Sequence, residues 1–130
     1  MGEDRVYLRV PAKPEYILVI RLTTSAVATR AGFDVDEIED IKVAVAEAGT
    51  VIMNQKNGVG TIELSYKIAG VNGIWIHISA PETEEVTIPY TENEQAELSF
   101  YIMESLMDNV ERNEKDGFIR ELKMYKEFGG

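Results

Sequence analysis

The stretch DVDEIEDIKVAVAEAGTVI, residues 34–52, predicts the longest helix of the chain and the element around which the fold is built. Asp34 is a typical N-cap residue, and Glu37, three positions later, completes a capping box. Apolar residues then recur at alternating spacings of three and four, which places them on one helix face: Ile38, Ile41, Val45, Ala48 and Ile52. Such a stripe requires a second layer of structure to cover it.

The segments on either side supply that layer, in the order β-α-α-β-β-α-β. Alternating or continuous apolar runs predict strands over residues 4–10, 59–69, 73–80 and about 117–125, and residues 86–89 form a short extended piece. The two central strands form a hairpin, because only a Gly-containing turn separates them. Helices are expected over 15–31, ending at Gly32, and over roughly 92–109. We therefore expect one α+β domain over residues 1–130: a two-layer sandwich with a mostly antiparallel sheet and helices on one face.

Spacing also predicts which faces of the other two helices are buried. In the first helix the buried set is Ile17, Ile20, Thr24, Val27 and Ala31, widened by Leu18, Leu22 and Ser25. In the third helix it is Leu98, Tyr101, Ile102, Ser105 and Leu106.

Composition and charge narrow the classes of function. The chain has 130 residues, no Cys and a net charge of −10, and no apolar run is long enough to span a membrane. Residues 1–31 carry five bases and three acids, whereas residues 82–104 carry seven acids and no base. Nucleic acid and anionic membrane surfaces are unfavourable partners for so acidic a chain, and a protein with a basic patch fits better. A cytoplasmic protein is expected, because no secretory signal is visible.

Three segments resemble the anti-sigma-factor serine kinases, a branch of the GHKL superfamily of histidine kinase-like ATPases. They are VPAKPEYILVIRLTTSAVATRAGF at 10–33, DEIEDIKVAVAEAGT at 36–50 and FYIMESLMDNV at 100–110. The resemblance implies a Bergerat-type nucleotide-binding fold, a protein serine kinase activity that uses ATP and magnesium, and binding to a sigma factor or an anti-sigma antagonist.

The resemblance also allows each nucleotide-binding motif to be checked, and all three depart from the family pattern. Glu47 matches the general-base carboxylate, but Val51 stands where an asparagine would hold magnesium, and an isopropyl group offers that ion no oxygen ligand. The positions of the adenine-binding aspartate and its glycine are occupied by Ala80 and Glu82. The glycine-rich phosphate turn is replaced by Ala96-Glu97-Leu98-Ser99.

These departures predict a degenerate pocket. Glu92, Glu94 and Glu97 crowd the start of the third helix. One carboxylate about 6 Å from one phosphate charge costs roughly 3 kcal/mol at an effective dielectric near 20, which exceeds the roughly 0.3–1 kcal/mol that a helix dipole supplies. We therefore expect no cofactor and no metal site. ATP and magnesium would bind only if the chain were an active serine kinase, with Glu47 as base and a metal contact from Asn54, one turn beyond Val51, or from another residue.

Two further residues are candidates for contacts with other proteins. Arg21 matches a position that contacts protein partners in the resembling family, and it lies in the net-basic stretch 1–31. Trp75 and His77 alternate with the isoleucines of their strand and should face away from the helices. As a catalyst, His77 would need a nucleophile beside it, and none is apparent. The sequence therefore predicts a regulator that binds a sigma factor or an anti-sigma antagonist without catalysis. The alternatives are an active kinase and a dimerisation module in which Trp75 pairs with a second copy to form a homodimer.

Overall fold

In its described part the chain folds into an antiparallel five-stranded sheet with three α-helices, which confirms the α+β class. The computed structural model describes residues 4–56, 60–69, 72–81, 86–89 and 94–129. Its elements are β1 (Asp4–Pro11), a short 3-10 turn (Pro14–Tyr16), α1 (Ile17–Ala31), α2 (Val35–Met53), β2 (Thr61–Ala69), β3 (Gly73–Ser79), α3 (Glu94–Leu106), β4 (Asn109–Lys115) and β5 (Phe118–Glu127). The strand order is β1-β2-β3-β5-β4, and every neighbouring pair is antiparallel.

Helix α2 has the boundaries and the buried face that its sequence predicts. The Asp34 side chain accepts a hydrogen bond from the Glu37 N–H, and the Glu37 carboxylate accepts one from the Asp34 N–H, so both halves of the capping box are present. Ile41, Val45, Ala48 and Ile52 are fully buried. Gly32 ends α1 with a φ of 106°, a left-handed conformation that a side chain would strain.

The sheet presents one apolar face to the helices. Ile74, Ile76 and Ile78 of β3 are fully buried against them, while Trp75 and His77 alternate onto the opposite face, as predicted. Helix α1 is fixed to this core by a buried polar contact, because the Thr24 and Tyr66 hydroxyl oxygens lie 2.7 Å apart. Thr24 already donates its proton to the Ile20 carbonyl, so the Tyr66 hydroxyl is the donor to Thr24.

In the last third of the chain, the helices and strands differ from those that the sequence predicts. Helix α3 ends at Leu106 rather than near residue 109, and residues 109–115 form the strand β4, which the sequence did not predict. The segment NVERNEK carries a single apolar residue, Val110, and lies at the edge of the sheet, where charges are tolerated and no alternating pattern is required. Residues 86–89 are not part of the sheet; the N–H groups of Thr87 and Ile88 donate instead to the Gln55 carbonyl.

Two predicted buried faces are also wrong in part. On α1, Leu18 and Leu22 are 62% and 61% exposed, although Ile20, Thr24 and Val27 are buried as expected. On α3, Leu98 and Tyr101 are 54% and 71% exposed, and the buried residues are Ala96, Ser99, Phe100 and Met103. Both helices carry apolar residues on more than one face, so spacing alone could not identify the face that packs on the sheet.

Candidate functional site

The predicted nucleotide site lies where the C-terminal half of α2 meets α3. Glu47, on α2, is partly exposed, and Ser99, on the inner face of α3, is 5% exposed. The Ser99 hydroxyl donates a hydrogen bond to Glu47 Oε1 at 2.9 Å. The structure therefore brings together two of the predicted site residues. Glu47, which matches the general base of the resembling family, thus accepts a hydrogen bond from Ser99, which stands at the position of the phosphate-binding turn.

Val51 lies one turn beyond Glu47 and belongs to the hydrophobic core. Its side chain is 3% exposed, and its neighbours in sequence, Ile52 and Met53, are also buried. Asn54, the alternative metal contact, is exposed and follows the last turn of α2, where its backbone N–H bonds to the Thr50 and Ile52 carbonyls. Magnesium requires oxygen ligands, and the Val51 side chain offers none.

At the end of β3, the residue at the position of the adenine-binding aspartate has no polar side chain. Ala80 is 3% exposed and carries a methyl group where the family pattern has a carboxylate acceptor. Its N–H donates to the Arg120 carbonyl at 3.3 Å, which extends the pairing of β3 with β5 by one residue. The predicted glycine position, Glu82, lies outside the described residues, as does Glu92.

The first turn of α3 is covered by side chains. Glu94 and Glu97 are exposed there, and Ala96 is buried. Carboxylates at this end stabilise the helix, because they complement the partial positive charge of its N-terminus. The same carboxylates repel a phosphate, and the residues Ala96 to Ser99 include no glycine that would let a ligand approach the backbone closely.

Gln55 is a buried polar residue that the sequence analysis missed. Its side chain donates to the Ile119 carbonyl at 2.9 Å and accepts from the Ile119 N–H at 2.7 Å. Its own carbonyl accepts from the N–H groups of Thr87 and Ile88. One residue thus joins the end of α2, strand β5 and the segment that precedes α3. Its position was detectable, because Gln55 follows Ala48 and Ile52 at the spacing of the buried stripe.

The outer face of α1 is a second region of interest. Leu18 and Leu22 are exposed there, and the only charged residues of the helix are Arg21 and Arg30, both exposed. The predicted partner contact Arg21 is therefore accessible and lies among exposed apolar groups. An exposed helix that is apolar on both faces is typical of a surface that binds another protein.

The face of the sheet opposite the helices carries the other predicted contact residue, Trp75. Its ring packs on Tyr125 with centroids 4.8 Å apart. Burial, followed by the charges of Glu127 and Asp108, raises the pKa of Tyr125. His77 Nδ1 lies 3.7 Å from a Glu121 carboxylate oxygen, and their side chains are more than one-third exposed. Trp75 and Arg21 lie in different layers, so the structure does not bring them into one site.

Comparison with known proteins gives a consistent family assignment. The family model of the histidine kinase-like ATPase domain matches residues 10–126. The chain is 37% identical to the serine-protein kinase RsbW of Staphylococcus aureus (strain MSSA476) over 95% of this chain and 87% of the relative. It is 36% identical to RsbW of Oceanobacillus iheyensis over 94% of this chain and 87% of the relative. It is 32% identical to RsbW of Bacillus cereus (strain G9842) over 88% of this chain and 80% of the relative. In the described part of the chain, no helix combines the length and apolar character needed to cross a bilayer.

Proposed function

The chain belongs to the histidine kinase-like ATPase family, together with the serine-protein kinases RsbW, and on that premise we propose that it is a regulator that binds a sigma factor or an anti-sigma antagonist without using ATP. The resemblance to anti-sigma-factor kinases supplies the class of partner. Such a protein would regulate transcription in the cytoplasm as a pseudokinase, by sequestering its partner rather than by phosphorylating it.

The observation that carries this proposal is the exposed apolar face of α1. Leu18 and Leu22 lie one helical turn apart, and both are more than half exposed. Covering them would contribute on the order of 1 kcal/mol each to binding, since full burial of a leucine is worth about 1.5–3 kcal/mol. Arg21 lies beside them and can pair with a carboxylate of the partner.

The proposed loss of ATP binding is supported by the chemistry of four positions. Val51 and Ala80 are buried and carry no oxygen, Glu97 adds negative charge near the expected phosphates, and Ser99 binds Glu47. Titration calorimetry with Mg-ATP tests this part of the proposal. We expect no binding at millimolar nucleotide, and a micromolar Kd would overturn it.

The binding part is tested by affinity measurements with the sigma factors and candidate antagonist proteins of the same organism. The variant Leu22→Ser should weaken the complex at least tenfold. Val35→Ser is the matched control, because Val35 is 75% exposed at the start of α2, outside the proposed surface. Equal affinity for both variants and the parent chain would exclude α1 as the binding surface.

Active protein serine kinase is the second candidate function, favoured by the names of the relatives and by the presence of Glu47. In that case Glu47 would act as the base towards a serine of the antagonist. Incubation with labelled ATP and candidate antagonists discriminates between the two. Phosphate transfer that is abolished by Glu47→Gln would establish the kinase, and absence of transfer from the parent chain would support the non-catalytic proposal.

A homodimer formed through the open face of the sheet is compatible with either function. Trp75 and Tyr125 form an aromatic pair on that face, and Tyr7 is 71% exposed there. We expect sedimentation at increasing concentration to show a dimer that Trp75→Ala weakens. A monomer at every concentration would exclude this arrangement.

A further inference from the structure

Helix α3 has an apolar stripe on its outer face in addition to the face that packs on the core. Leu98 and Tyr101 are 54% and 71% exposed, and they lie three residues apart, so their side chains are neighbours on the helix surface. Ala96, Phe100 and Met103 occupy the opposite, buried face. An exposed Leu–Tyr pair at helical spacing is an anchor of the kind that a partner helix covers.

The charged side chains of α3 are all acidic. Glu94, Glu97 and Glu104 are exposed on α3, and the helix contains no Lys or Arg. The neighbouring cations already have partners within the chain. The Arg112 guanidinium, on the adjoining strand, lies 3.8 Å from the centre of the Phe100 ring and 3.6 Å from a Glu114 oxygen. At the end of α3, the Lys126 ammonium donates a hydrogen bond to the Leu106 carbonyl. A partner that covers the stripe must therefore bring its own positive charge.

We propose that this outer face of α3, the α3 surface, binds an amphipathic helix that places lysines or arginines beside its apolar residues. The apolar side chains of that helix cover Leu98 and Tyr101, and its cations pair with the three glutamates. Aligned carboxylates flanking an apolar stripe favour a basic amphipathic helix over an acidic one by electrostatic complementarity.

The α3 surface is distinct from the proposed surface on α1. Helix α2 packs extensively against both α1 and α3, and no extensive contact joins α1 to α3 among the described residues. The two surfaces also differ in charge, since the charged residues of α1 are Arg21 and Arg30. One partner can therefore occupy each surface, and the two partners differ in the charge that they carry.

Heteronuclear NMR titration of the full chain with two synthetic peptides tests the proposal. One peptide is an 18-residue amphipathic helix with leucines on one face and lysines at the flanks. The other carries glutamate in place of each lysine. We expect shift changes for the lysine peptide that concentrate on residues 94–106, and at least tenfold weaker binding of the glutamate peptide.

Variants of the chain distinguish a specific site from general attraction between an acidic protein and a basic peptide. The double variant Leu98→Ser/Tyr101→Ser should weaken binding at least tenfold, and Glu97→Gln/Glu104→Gln should reduce its salt dependence, while Val35→Ser leaves both unchanged. Circular dichroism checks that each variant is folded. Shift changes spread over other acidic regions, or equal affinity in the parent and the double variant, would overturn the proposal. Self-association of the chain that Leu22→Ser and Tyr101→Ser both abolish would overturn the assignment of the α3 surface to a separate partner, because the basic helix that it binds would then be α1 of a second copy.

Discussion

The outer face of α1 and the C-terminal end of α2 differ in whether their side chains are left exposed or are packed. The second region, called the pocket end, contains the predicted nucleotide site. On α1, apolar side chains are left exposed although the same helix buries Ile20 and Thr24 completely. At the pocket end, Val51 and Ala80 are buried apolar side chains at positions where a nucleotide and its metal ion would need oxygen atoms. The Ser99 hydroxyl donates a hydrogen bond to Glu47 in the same region. The first region is available to a partner, and the second is packed against itself.

The proposed function, binding without catalysis, depends on this difference between the two regions. A protein-binding helix needs only an exposed apolar stripe on a rigid support. A nucleotide pocket needs close approach to the backbone, a cation ligand and low negative charge, which must be present together. Under the proposed function, packing at the end of α2 stabilises the fold in place of those features. Substitutions at the pocket end should therefore change stability, and substitutions on the outer face of α1 should change binding.

The largest effect is expected for Gln55→Leu at the pocket end. This change leaves the Ile119 N–H and carbonyl without the two side-chain hydrogen bonds that they make to Gln55. Each unsatisfied buried group costs about 1–3 kcal/mol, so the free energy of unfolding should fall by roughly 2–6 kcal/mol. Urea denaturation measures it. The control Asn54→Ala, at the adjacent exposed position, should change it by less than about 0.5 kcal/mol. A small loss for Gln55→Leu would mean that the pocket end is not tightly packed.

Val51→Asn tests whether the missing metal ligand can be restored. Burying an amide in place of an isopropyl group should lower the free energy of unfolding by roughly 2–4 kcal/mol, through lost apolar burial and an unsatisfied polar group. We expect no gain in Mg-ATP affinity by calorimetry, because Ala80 and the carboxylates of α3 remain. Val51→Thr, which keeps the shape of valine, is the control for stability. Micromolar nucleotide binding by Val51→Asn would break the contrast between the two regions.

The pH dependence of stability tests the attachment of α1 to the core. Burial raises the pKa of Tyr66 from 10.0 to about 12. Because the folded pKa lies above the unfolded one, the contribution to stability is complete below pH 10 and is lost as the pH rises to about 12. The loss is at most about 2.7 kcal/mol, from about 1.36 kcal/mol per pKa unit. Urea denaturation between pH 9 and 12 should show this loss of stability in the parent chain and not in Tyr66→Phe. The exposed control Tyr101→Phe should show the same loss as the parent chain.

The smallest effect on stability is expected for Leu18→Ala. Leu18 is 62% exposed, so its truncation should change the free energy of unfolding by less than about 0.5 kcal/mol, partly because alanine favours the helix. Ile20→Ala, two residues away and fully buried, should cost about 2–5 kcal/mol in the same thermal or urea measurement. Similar losses for the two variants would show that the outer face of α1 supports the fold rather than a partner.

Much of the fold was predictable from the sequence because strong local signals agree with the tertiary structure. The capping box at Asp34, the stripe of α2 and the turn at Gly32 all depend on nearby residues, and each was confirmed. The β2–β3 hairpin was predicted for the same reason, and its strands pair over seven residues on each side. The turn residues 70 and 71 lie outside the described part of the chain.

The failures occurred where a side chain's environment depends on distant segments. Strand β4 is held by its pairing with β5 and contains no apolar alternation of its own. Leu98 and Tyr101 are larger than Ala96 and Ser99, yet the smaller residues face the core because α3 lies close against α2. At the candidate site, Glu47 and Ser99 were each identifiable by resemblance, but their hydrogen bond depends on how α2 and α3 pack.

The contacts of Gln55 have a consequence for motion. The amide protons of Ile119, Thr87 and Ile88 are all bonded to this one residue, through its side chain or its carbonyl. A fluctuation that frees any of them by displacing Gln55 frees the others as well. Native-state hydrogen exchange should therefore find these three amides, from two separate stretches of chain, opening with a common free energy as one cooperative unit.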